Sequence, residues 1–260
     1  MRRLKKYVKG FYMSLGMFCA VPLPFYIWDK KYMASMLAAF PLVGLVIGTF
    51  WWLAAQILVA LEIHIMLTAA LLGFMPFIAS GFIHLDGYMD TSDAILSRKS
   101  YEEKLGILKD SNVGAFAVVM AIFLFVMQFA SVYVIIENGA HMALFIVISA
   151  LSRCCCALLM FAMPHIPGSG YAPLIKQDAG VWHKVFVLLV LAAAVAGSYV
   201  YAALLGLAVS LAVVLGYGAA VFNVFRNFKG VSGDLLGYAL VLSELCGLLA
   251  LAAMHGRWVF

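Results

Sequence analysis

The sequence has few charged residues. Asp, Glu, Lys and Arg make up 11% of the 260 residues, whereas hydrophobic residues make up 66%. A soluble globular domain has about 25% charged and about 45–50% apolar residues. So little charge cannot cover the apolar surface of a chain this long in water, which excludes a water-soluble fold. The mean hydropathy of +1.05 predicts a protein whose main solvent is the lipid bilayer.

Cysteine is also scarce, and nothing in the positions of the five cysteines suggests a disulfide framework. Three of the five cysteines, Cys154, Cys155 and Cys156, are consecutive in an apolar run. Neighbours on a helix point about 100° apart, so the three cannot share one metal ion. We interpret them as small apolar packing residues. Gly44 and Gly48 form a GxxxG pattern, which is typical of close helix packing in membranes.

Long apolar stretches dominate the rest of the chain. A spanning helix needs about 20 mostly apolar residues. The stretch 11–28 is apolar, but Pro22 and Pro24 interrupt a continuous helix, so we interpret it as interfacial or re-entrant. The turn that divides 185–222 is poorly marked. The sequence therefore predicts an all-α polytopic membrane bundle, one domain over 1–260, with about seven transmembrane helices at 33–60, 65–85, 114–136, 142–163, 185–202, 203–222 and 236–254.

The distribution of Lys and Arg predicts the orientation. If the N-terminus is cytoplasmic, the inner segments 1–32, 86–113, 164–184 and 223–235 hold seven, four, two and two of the 17 basic residues. The outer connections at 61–64 and 137–141 hold none. The positive-inside rule then predicts an inner (cytoplasmic) membrane protein with its long polar loops in the cytoplasm. The basic N-terminus favours anionic lipid over nucleic acid as its partner.

We call 86–113, 164–184 and 223–235 the inner loops, and the first of them begins with an acidic pattern. Asp86, Asp90 and Asp93 are spaced i, i+4 and i+7, so on a helix all three carboxylates face the same way. Their repulsion can be relieved by protonation, by basic partners or by a divalent metal. Carboxylates with water and phosphate oxygens suit Mg²⁺, and Asp90 is placed to bridge two such ions. Solvation of a loop is the alternative.

Further polar residues flank this pattern. His84 is interpreted either as an interfacial residue or as a substrate ligand. Lys109, Asp110 and Ser111 precede the next span. They are candidates to bind phosphate or, since Asp and Ser are favoured caps, to cap a helix that starts near Val113.

The other two inner loops add candidates of both charges. The segment from Gly168 to Tyr171 contains two glycines that let backbone amides approach a ligand, with a flexible turn as the alternative. Arg226 and Lys229 can bind phosphate, and Asp234 starts the last span.

Two charged residues fall inside predicted spans. Arg153 lies in the fourth predicted span and Glu244 in the last. A charge in hydrocarbon is costly and needs a partner. Arg153 is expected to contact a substrate phosphate or to form a structural ion pair, and it is the obvious partner for Glu244.

Three segments now carry a resemblance to a known family. GFIHLDGYMDTSDA, LGILKDSNVGAF and GVSGDLLGYALVLSE, with the early FCAVPLP, resemble cobalamin synthase, also called adenosylcobinamide-GDP ribazoletransferase. The resemblance extends over nearly the whole chain, and the HLDGxxDTxDA stretch is its most specific part. It implies a Mg²⁺-dependent membrane enzyme that joins adenosylcobinamide-GDP to α-ribazole, or its 5′-phosphate, and releases GMP. Asp86, Asp90, Asp93, Asp110, Asp234 and Glu244 match the acids of the family's motifs.

The chain departs from the family's usual pattern at a few positions. Asn112 stands where the family usually has Arg, Ala94 stands where it has Gly, and GDLLGY replaces GDTLGA. We interpret these as variation within the family that can affect the choice of lower-ligand base.

The residues and the resemblance together give a hypothesis of phosphoryl transfer at the membrane surface. An α-ribazole hydroxyl attacks the phosphorus nearest the corrinoid, Asp93 accepts its proton, and GMP leaves. The metal ligands are expected to be Asp86, Asp90, Asp93 and Asp234. The catalytic residues are expected to be Asp90, Asp93, Lys109 and Asp110. The substrate-binding residues are expected to be His84, Ser111, Arg153, Arg226, Lys229 and Glu244.

Two other functions stay open at this point. A CDP-alcohol phosphotransferase would also use clustered aspartates, but its DGxxAR segment is absent, since Asp86 and Gly87 are followed by Tyr88. An ion- or proton-coupled transporter could be built around Arg153 and Glu244. The sequence also leaves the oligomeric state open, with a homo-oligomer among the alternatives.

Overall fold

The structure is a computed structural model that describes residues 2–139 and 141–255. These residues form eleven α-helices and one short 3₁₀ helix, Lys30–Tyr32, and no strand occurs among them. The all-α prediction is therefore confirmed. The helices are α1 Arg2–Phe18, α2 Met33–Ala38, α3 Phe40–Ala60, α4 Ile65–Ala79, α5 Ile83–Leu96, α6 Tyr101–Ile107, α7 Ala115–Glu137, α8 Leu144–Ala162, α9 Ala172–Asp178, α10 Val181–Phe228 and α11 Gly233–His255.

The long apolar helices make the chain a multi-pass membrane protein. Five of the described helices, α3, α7, α8, α10 and α11, are long and apolar enough to cross a bilayer. The pair α4 and α5 adds a sixth if the two are counted as one bent span. The predicted number of seven is not confirmed by this count and stays a prediction.

Helix α10 is interrupted near its middle by a kink. Ala202 and Ala203 have non-helical dihedral angles, and the φ of Ala203 is 48°. The hydroxyls of Ser198 and Ser210 lie 2.9 Å apart, whereas twelve residues of straight helix span about 18 Å. The chain therefore folds back on itself at 202–203, which is where the sequence analysis divides 185–222.

The predicted span 65–85 is wrong as a single helix. Helix α4 ends at Ala79, and α5 starts at Ile83 with a bend of 94° between them. Gly81 adopts a φ of 62°, and the N–H of Phe82 donates to the carbonyl of Phe77. This is a glycine C-cap, in which the residue after the helix adopts a left-handed conformation that is least unfavourable for glycine. Because α5 leaves α4 at this angle and carries three carboxylates, we place it from Asp86 onward outside the apolar spans.

The N-terminal region also differs from the prediction. Residues 11–18 are not part of an irregular segment, because they belong to helix α1. The part from Cys19 to Asp29, which contains both prolines, has no regular helix. The predicted first span 33–60 is broken at Ala39, so that α2 and α3 are separate helices.

Small residues allow the central helices to approach closely. A Cβ on Gly44 would lie 2.5 Å from the carbonyl oxygen of Ser149, and one on Gly48 would lie 2.5 Å from the Cα of Ile146. The GxxxG pattern thus packs α3 against α8, as predicted. The three consecutive cysteines are buried in α8 as free thiols, which agrees with their interpretation as packing residues.

Candidate functional site

The three aspartates of the acidic pattern lie on one helix, as their spacing predicts. Asp86, Asp90 and Asp93 all belong to α5, with Asp86 exposed and the other two half-buried. The pKa of Asp90 is raised to about 6, first because burial disfavours the charged carboxylate and then because neighbouring carboxylates repel it. These neighbours are Asp86, Asp234 and Asp93. Three acids therefore act on Asp90 together, two from α5 itself and one from α11.

A glycine brings the start of α11 to this acidic face. A Cβ on Gly87 would lie 2.8 Å from the carbonyl oxygen of Asp234 and 2.9 Å from its Cα. Only a residue without a side chain permits this approach of α5 to α11. On the same two helices, the rings of Tyr88 and Tyr238 stack with their centroids 5.6 Å apart. The Asp234 carboxylate joins the site because these two helices pack so closely.

A second glycine accommodates Asp93. A Cβ on Gly114, the residue before α7, would overlap the carboxylate of Asp93. The absence of a side chain at Gly114 leaves the space that this carboxylate occupies. The acidic face of α5 is therefore bounded by α11 on one side and by the start of α7 on another.

The donor chemistry of this face fits Mg²⁺, but the full predicted ligand set is not assembled. Among the described residues, no three His, Cys, Asp or Glu side chains are close enough together to hold a metal ion. Mg²⁺ needs only one or two carboxylates, with water and substrate phosphates as its other ligands. The neighbouring carboxylates raise the pKa of Asp90, which is compatible with a site where one or two carboxylates bind the ion and water or phosphate completes its ligands. The set Asp86, Asp90, Asp93 and Asp234 stays a prediction.

A cavity of about 370 Å³ lies beside the acidic face and draws on all three inner loops. Lys109 lines it from the first loop, Gly168 to Tyr171 from the second, and Ser232 to Asp234 from the third. His84 of α5 also lines it. The three inner loops therefore meet at one cavity. We call this space the loop cavity.

Backbone hydrogen bonds hold the second and third loops together. His165 and Val231 form an isolated parallel bridge, in which Ile166 N–H donates to the Val231 carbonyl at 3.1 Å and Val231 N–H donates to the Pro164 carbonyl at 2.9 Å. The bridge passes so close to Gly230 that a Cβ there would lie 3.1 Å from the nitrogen of Ile166. The bridge fixes the glycine-rich turn of the second loop next to the start of α11.

Lys109 of the first loop lies next to the glycine-rich turn of the second loop. Its ammonium lies 3.3 Å from the position that a Cβ on Gly168 would occupy. Gly168 and Gly170 have φ values of 80° and 59°, which favour glycine. The hydroxyl of Ser169 between them is buried and has no hydrogen-bond partner. Lys109 thus provides a positive charge beside a turn that has a free hydroxyl.

The two charged residues of the predicted spans pair with each other. Arg153 Nη1 lies 2.6 Å from Glu244 Oε1, with side chains only 1% and 2% exposed. Arg153 Nη1 also donates to the carbonyl of Ser149 at 2.9 Å and to its hydroxyl at 2.8 Å. The Ser152 hydroxyl donates to the same Glu244 oxygen at 3.0 Å. Of the two roles expected for Arg153, this geometry favours the structural ion pair.

Comparison with known proteins identifies the family of this chain. The profile of the family described as cobalamin-5-phosphate synthase matches residues 10–252. The chain belongs to the cobalamin-5-phosphate synthase family. An adenosylcobinamide-GDP ribazoletransferase of Clostridium botulinum is 36% identical over 245 residues, which cover 94% of this chain and 97% of that protein.

Two further relatives of the same name extend the similarity beyond one genus. The one from Lachnoclostridium phytofermentans is 32% identical and covers 98% of this chain and 97% of its own length. The one from Pseudomonas putida is 30% identical and covers 86% of this chain and 90% of its own length. No solved structure matches the chain. The membership of this chain in the cobalamin-5-phosphate synthase family therefore rests on sequence along nearly its whole length.

Several residues predicted for this cobalamin-5-phosphate synthase site lie away from the loop cavity. Asp110 accepts hydrogen bonds from the backbone and side chain of Asn112 at 3.0 and 2.7 Å, which lower its pKa. The expectation that it caps the next helix is wrong, because the N-cap of α7 is Gly114. Ser111 is exposed beside it. The catalytic role of Asp110 and the substrate contact of Ser111 stay predictions.

The two basic residues of the third loop are exposed at the end of α10. Arg226 places its guanidinium 5.9 Å from the centre of the Phe222 ring, and Lys229 ends the helix with a φ of 54°. Neither lines the loop cavity, so their phosphate contacts stay predictions. Sequence reasoning missed the apolar walls of the cavity, including Phe18 and Phe40. No sequence signal distinguishes these residues from ordinary core residues in so apolar a chain.

Proposed function

We propose that this chain transfers the adenosylcobinamide-phosphate group from adenosylcobinamide-GDP to α-ribazole, or to its 5′-phosphate, and releases GMP. The observation that carries this proposal is the family match over residues 10–252, with relatives named adenosylcobinamide-GDP ribazoletransferase over nearly their whole length. The loop cavity and the acidic face of α5 support the proposal, because together they could form the site of that activity.

The proposed reaction is Mg²⁺-dependent. Asp90 and Asp86, with Asp234 from α11, are the carboxylates proposed to hold the ion. When bound, Mg²⁺ supplies positive charge that neutralises the diphosphate of the donor. The raised pKa of Asp90 supports this role, because several carboxylates that repel one another are relieved by a cation.

The residues of the chain would position and deprotonate the reactants. In the proposed reaction a bond forms between an α-ribazole oxygen and the phosphorus nearest the corrinoid, and the bridging P–O bond to GMP breaks. Asp93 is proposed to accept the hydroxyl proton. Lys109 lies beside the glycine-rich turn, where its charge would offset negative charge on the transferring group.

We also propose that the inner loops face the cytoplasm at the inner membrane. The distribution of basic residues supports this orientation. In that orientation the loop cavity opens on the side where soluble nucleotides are present.

Release of GMP by the full chain in lipid nanodiscs tests the proposed function. We expect GMP to form only when adenosylcobinamide-GDP, α-ribazole or its phosphate, and Mg²⁺ are all present, and to stop when EDTA removes the metal. A cobamide product must appear in equal amount. GMP release that does not depend on α-ribazole would contradict the transfer, and full activity in EDTA would contradict the metal.

The two alternative functions receive less support. The family match does not point to a CDP-alcohol phosphotransferase. A transporter based on Arg153 and Glu244 would need access to these side chains, but the pair is buried and closed by hydrogen bonds to serines.

A further inference from the structure

The loop cavity has an apolar interior and very few free polar groups. Phe18, Phe40, Met160 and Ile175 are among the apolar side chains that line it. At about 370 Å³ it is at the lower end of the range of small-molecule sites. Its interior therefore suits one small, mostly apolar group.

Two buried polar atoms at this cavity lack partners. The side chain of His84 is 6% exposed and lines the cavity, and its Nε2 has no hydrogen-bond partner. The hydroxyl of Ser169 is likewise unpaired. By contrast, the hydroxyl of Ser232 already accepts from the N–H of Leu235 at 3.3 Å. A buried polar atom without a partner costs free energy, which a ligand that pairs with it would recover.

Aromatic rings hold the imidazole of His84 in place. The ring of Phe18 is nearly parallel to it at 6.1 Å, and the ring of Phe40 lies 5.7 Å away. An imidazole with a proton on Nε2 offers one donor to this apolar space.

We propose that the loop cavity binds the base of the acceptor nucleoside and that His84 Nε2 donates a hydrogen bond to the free ring nitrogen of that base. This inference rests on the proposed function. The base of α-ribazole is a flat, fused two-ring heteroaromatic group with apolar methyl substituents and one free acceptor nitrogen. Its single acceptor matches the single donor of His84, and its flat rings match the walls formed by Phe18 and Phe40.

The other parts of the substrates fit this cavity less well. The corrin macrocycle with its amide side chains is far larger than a two-ring base. Guanine has several donors and acceptors, most of which would be left unpaired among apolar side chains. With the base inside, the ribose would lie toward Lys109, Ser169 and Asp234, which line the same cavity.

Kinetics of two His84 variants test this assignment. We expect His84→Phe, which keeps a flat ring but loses the donor, to raise the KM for α-ribazole about tenfold or more. The KM for adenosylcobinamide-GDP should stay within twofold of the wild-type value, which also shows that the variant is folded. His84→Gln, which retains a donor, should recover part of the loss. The exposed His64 provides a matched control, and His64→Gln should leave both KM values unchanged.

The free base gives a second readout that does not depend on the variants' turnover. Dimethylbenzimidazole should inhibit the wild-type enzyme competitively against α-ribazole but not against adenosylcobinamide-GDP. Competition against the corrinoid instead, or an unchanged KM for α-ribazole in His84→Phe, would overturn the assignment. If the wild-type protein releases no GMP under any of these conditions, the proposed function itself has failed, which is a different result.

Discussion

Carboxylates occur in two contrasting regions of this protein. On α5, Asp86, Asp90 and Asp93 lie at a partly exposed surface with no basic partner among the ion pairs that the described residues form. In the middle of the bundle, Glu244 is buried against Arg153 and two serines supply further hydrogen bonds. The first region is open to a cation or a substrate, whereas in the second the two opposite charges pair with each other, and only Arg153 Nε among the polar atoms of this pair is buried without a hydrogen-bond partner. The same type of charge is thus proposed to serve chemistry on α5, whereas it joins two helices in the middle of the bundle.

The largest effect is expected on activity, from a substitution in the acidic region of α5. Asp90→Asn should lower GMP release by about 10³-fold while the protein stays folded, because it removes a charge from the proposed metal site without changing its shape. Activity assays and thermal unfolding of the same preparation measure both quantities. Asp178→Asn, which changes an exposed acid at the end of α9, is the matched control. Near-normal GMP release from Asp90→Asn would refute the metal assignment.

The second effect concerns stability rather than chemistry. Glu244→Gln should destabilise the fold by about 3–5 kcal/mol, because it leaves the guanidinium of Arg153 buried without its counter-ion. Replacing both residues, as Arg153→Met with Glu244→Leu, should restore much of the loss. Thermal unfolding in detergent measures the change. Asp29→Asn breaks the exposed pair with Lys31 and should leave the melting temperature unchanged.

If the Glu244→Gln protein melts like the wild type but loses activity, Glu244 would be needed for the reaction and not for stability. Arg153 and Glu244 would then belong to the site, as the substrate-contact expectation has it.

A smaller effect tests how the site depends on helix packing. Gly87→Ala should destabilise the protein by about 1–3 kcal/mol and lower its activity, because the new Cβ would press on the backbone of Asp234. Gly106→Ala is a suitable control, since a Cβ on this helical glycine meets nothing within 4 Å. Equal behaviour of the two variants, measured by unfolding and GMP release, would show that the close approach of α5 to α11 is not needed.

The smallest effect is on pH dependence. The pKa of Asp90 is raised to about 6, so its carboxylate is mostly protonated at pH 5 and mostly ionised at pH 7. Because a metal binds the ionised form, Mg²⁺ affinity should rise about tenfold between these pH values and level off above them. Mg²⁺ titrations of GMP release from pH 5 to 8 measure this. Affinity that falls as pH rises would contradict the role of Asp90.

The sequence predicted some elements well because each signal was local. The spacing of Asp86, Asp90 and Asp93 places them on one helical face wherever that helix lies. Gly44 and Gly48 predicted a close helix contact, and the structure has one. The division of α10 near residue 202 followed from length alone, because 38 apolar residues are too many for one crossing.

Other elements depended on signals that were present but not used. Ser80 and Gly81 mark the end of α4 through a left-handed glycine, yet the apolar residues on both sides suggested one continuous span. Asp110 is a different case, because its signal was used. Asp is a favoured helix cap, but here the backbone and side-chain N–H groups of Asn112 both donate to its carboxylate.

By itself, the sequence determined that this chain is a helical membrane protein of a recognisable transferase family, and it predicts that most of its acids and bases lie in loops on one side of the membrane. Hydrophobicity and residue spacing depend only on residues that are close in the chain, so the sequence alone shows them. The sequence also pointed to Arg153 as the partner of Glu244, which the structure confirms. Only the tertiary structure decided that a backbone bridge joins 165 to 231 and that an apolar cavity with an unpaired His84 nitrogen lies between three loops. These features join residues that are far apart in the chain, and their pairing depends on how helices pack rather than on any local pattern.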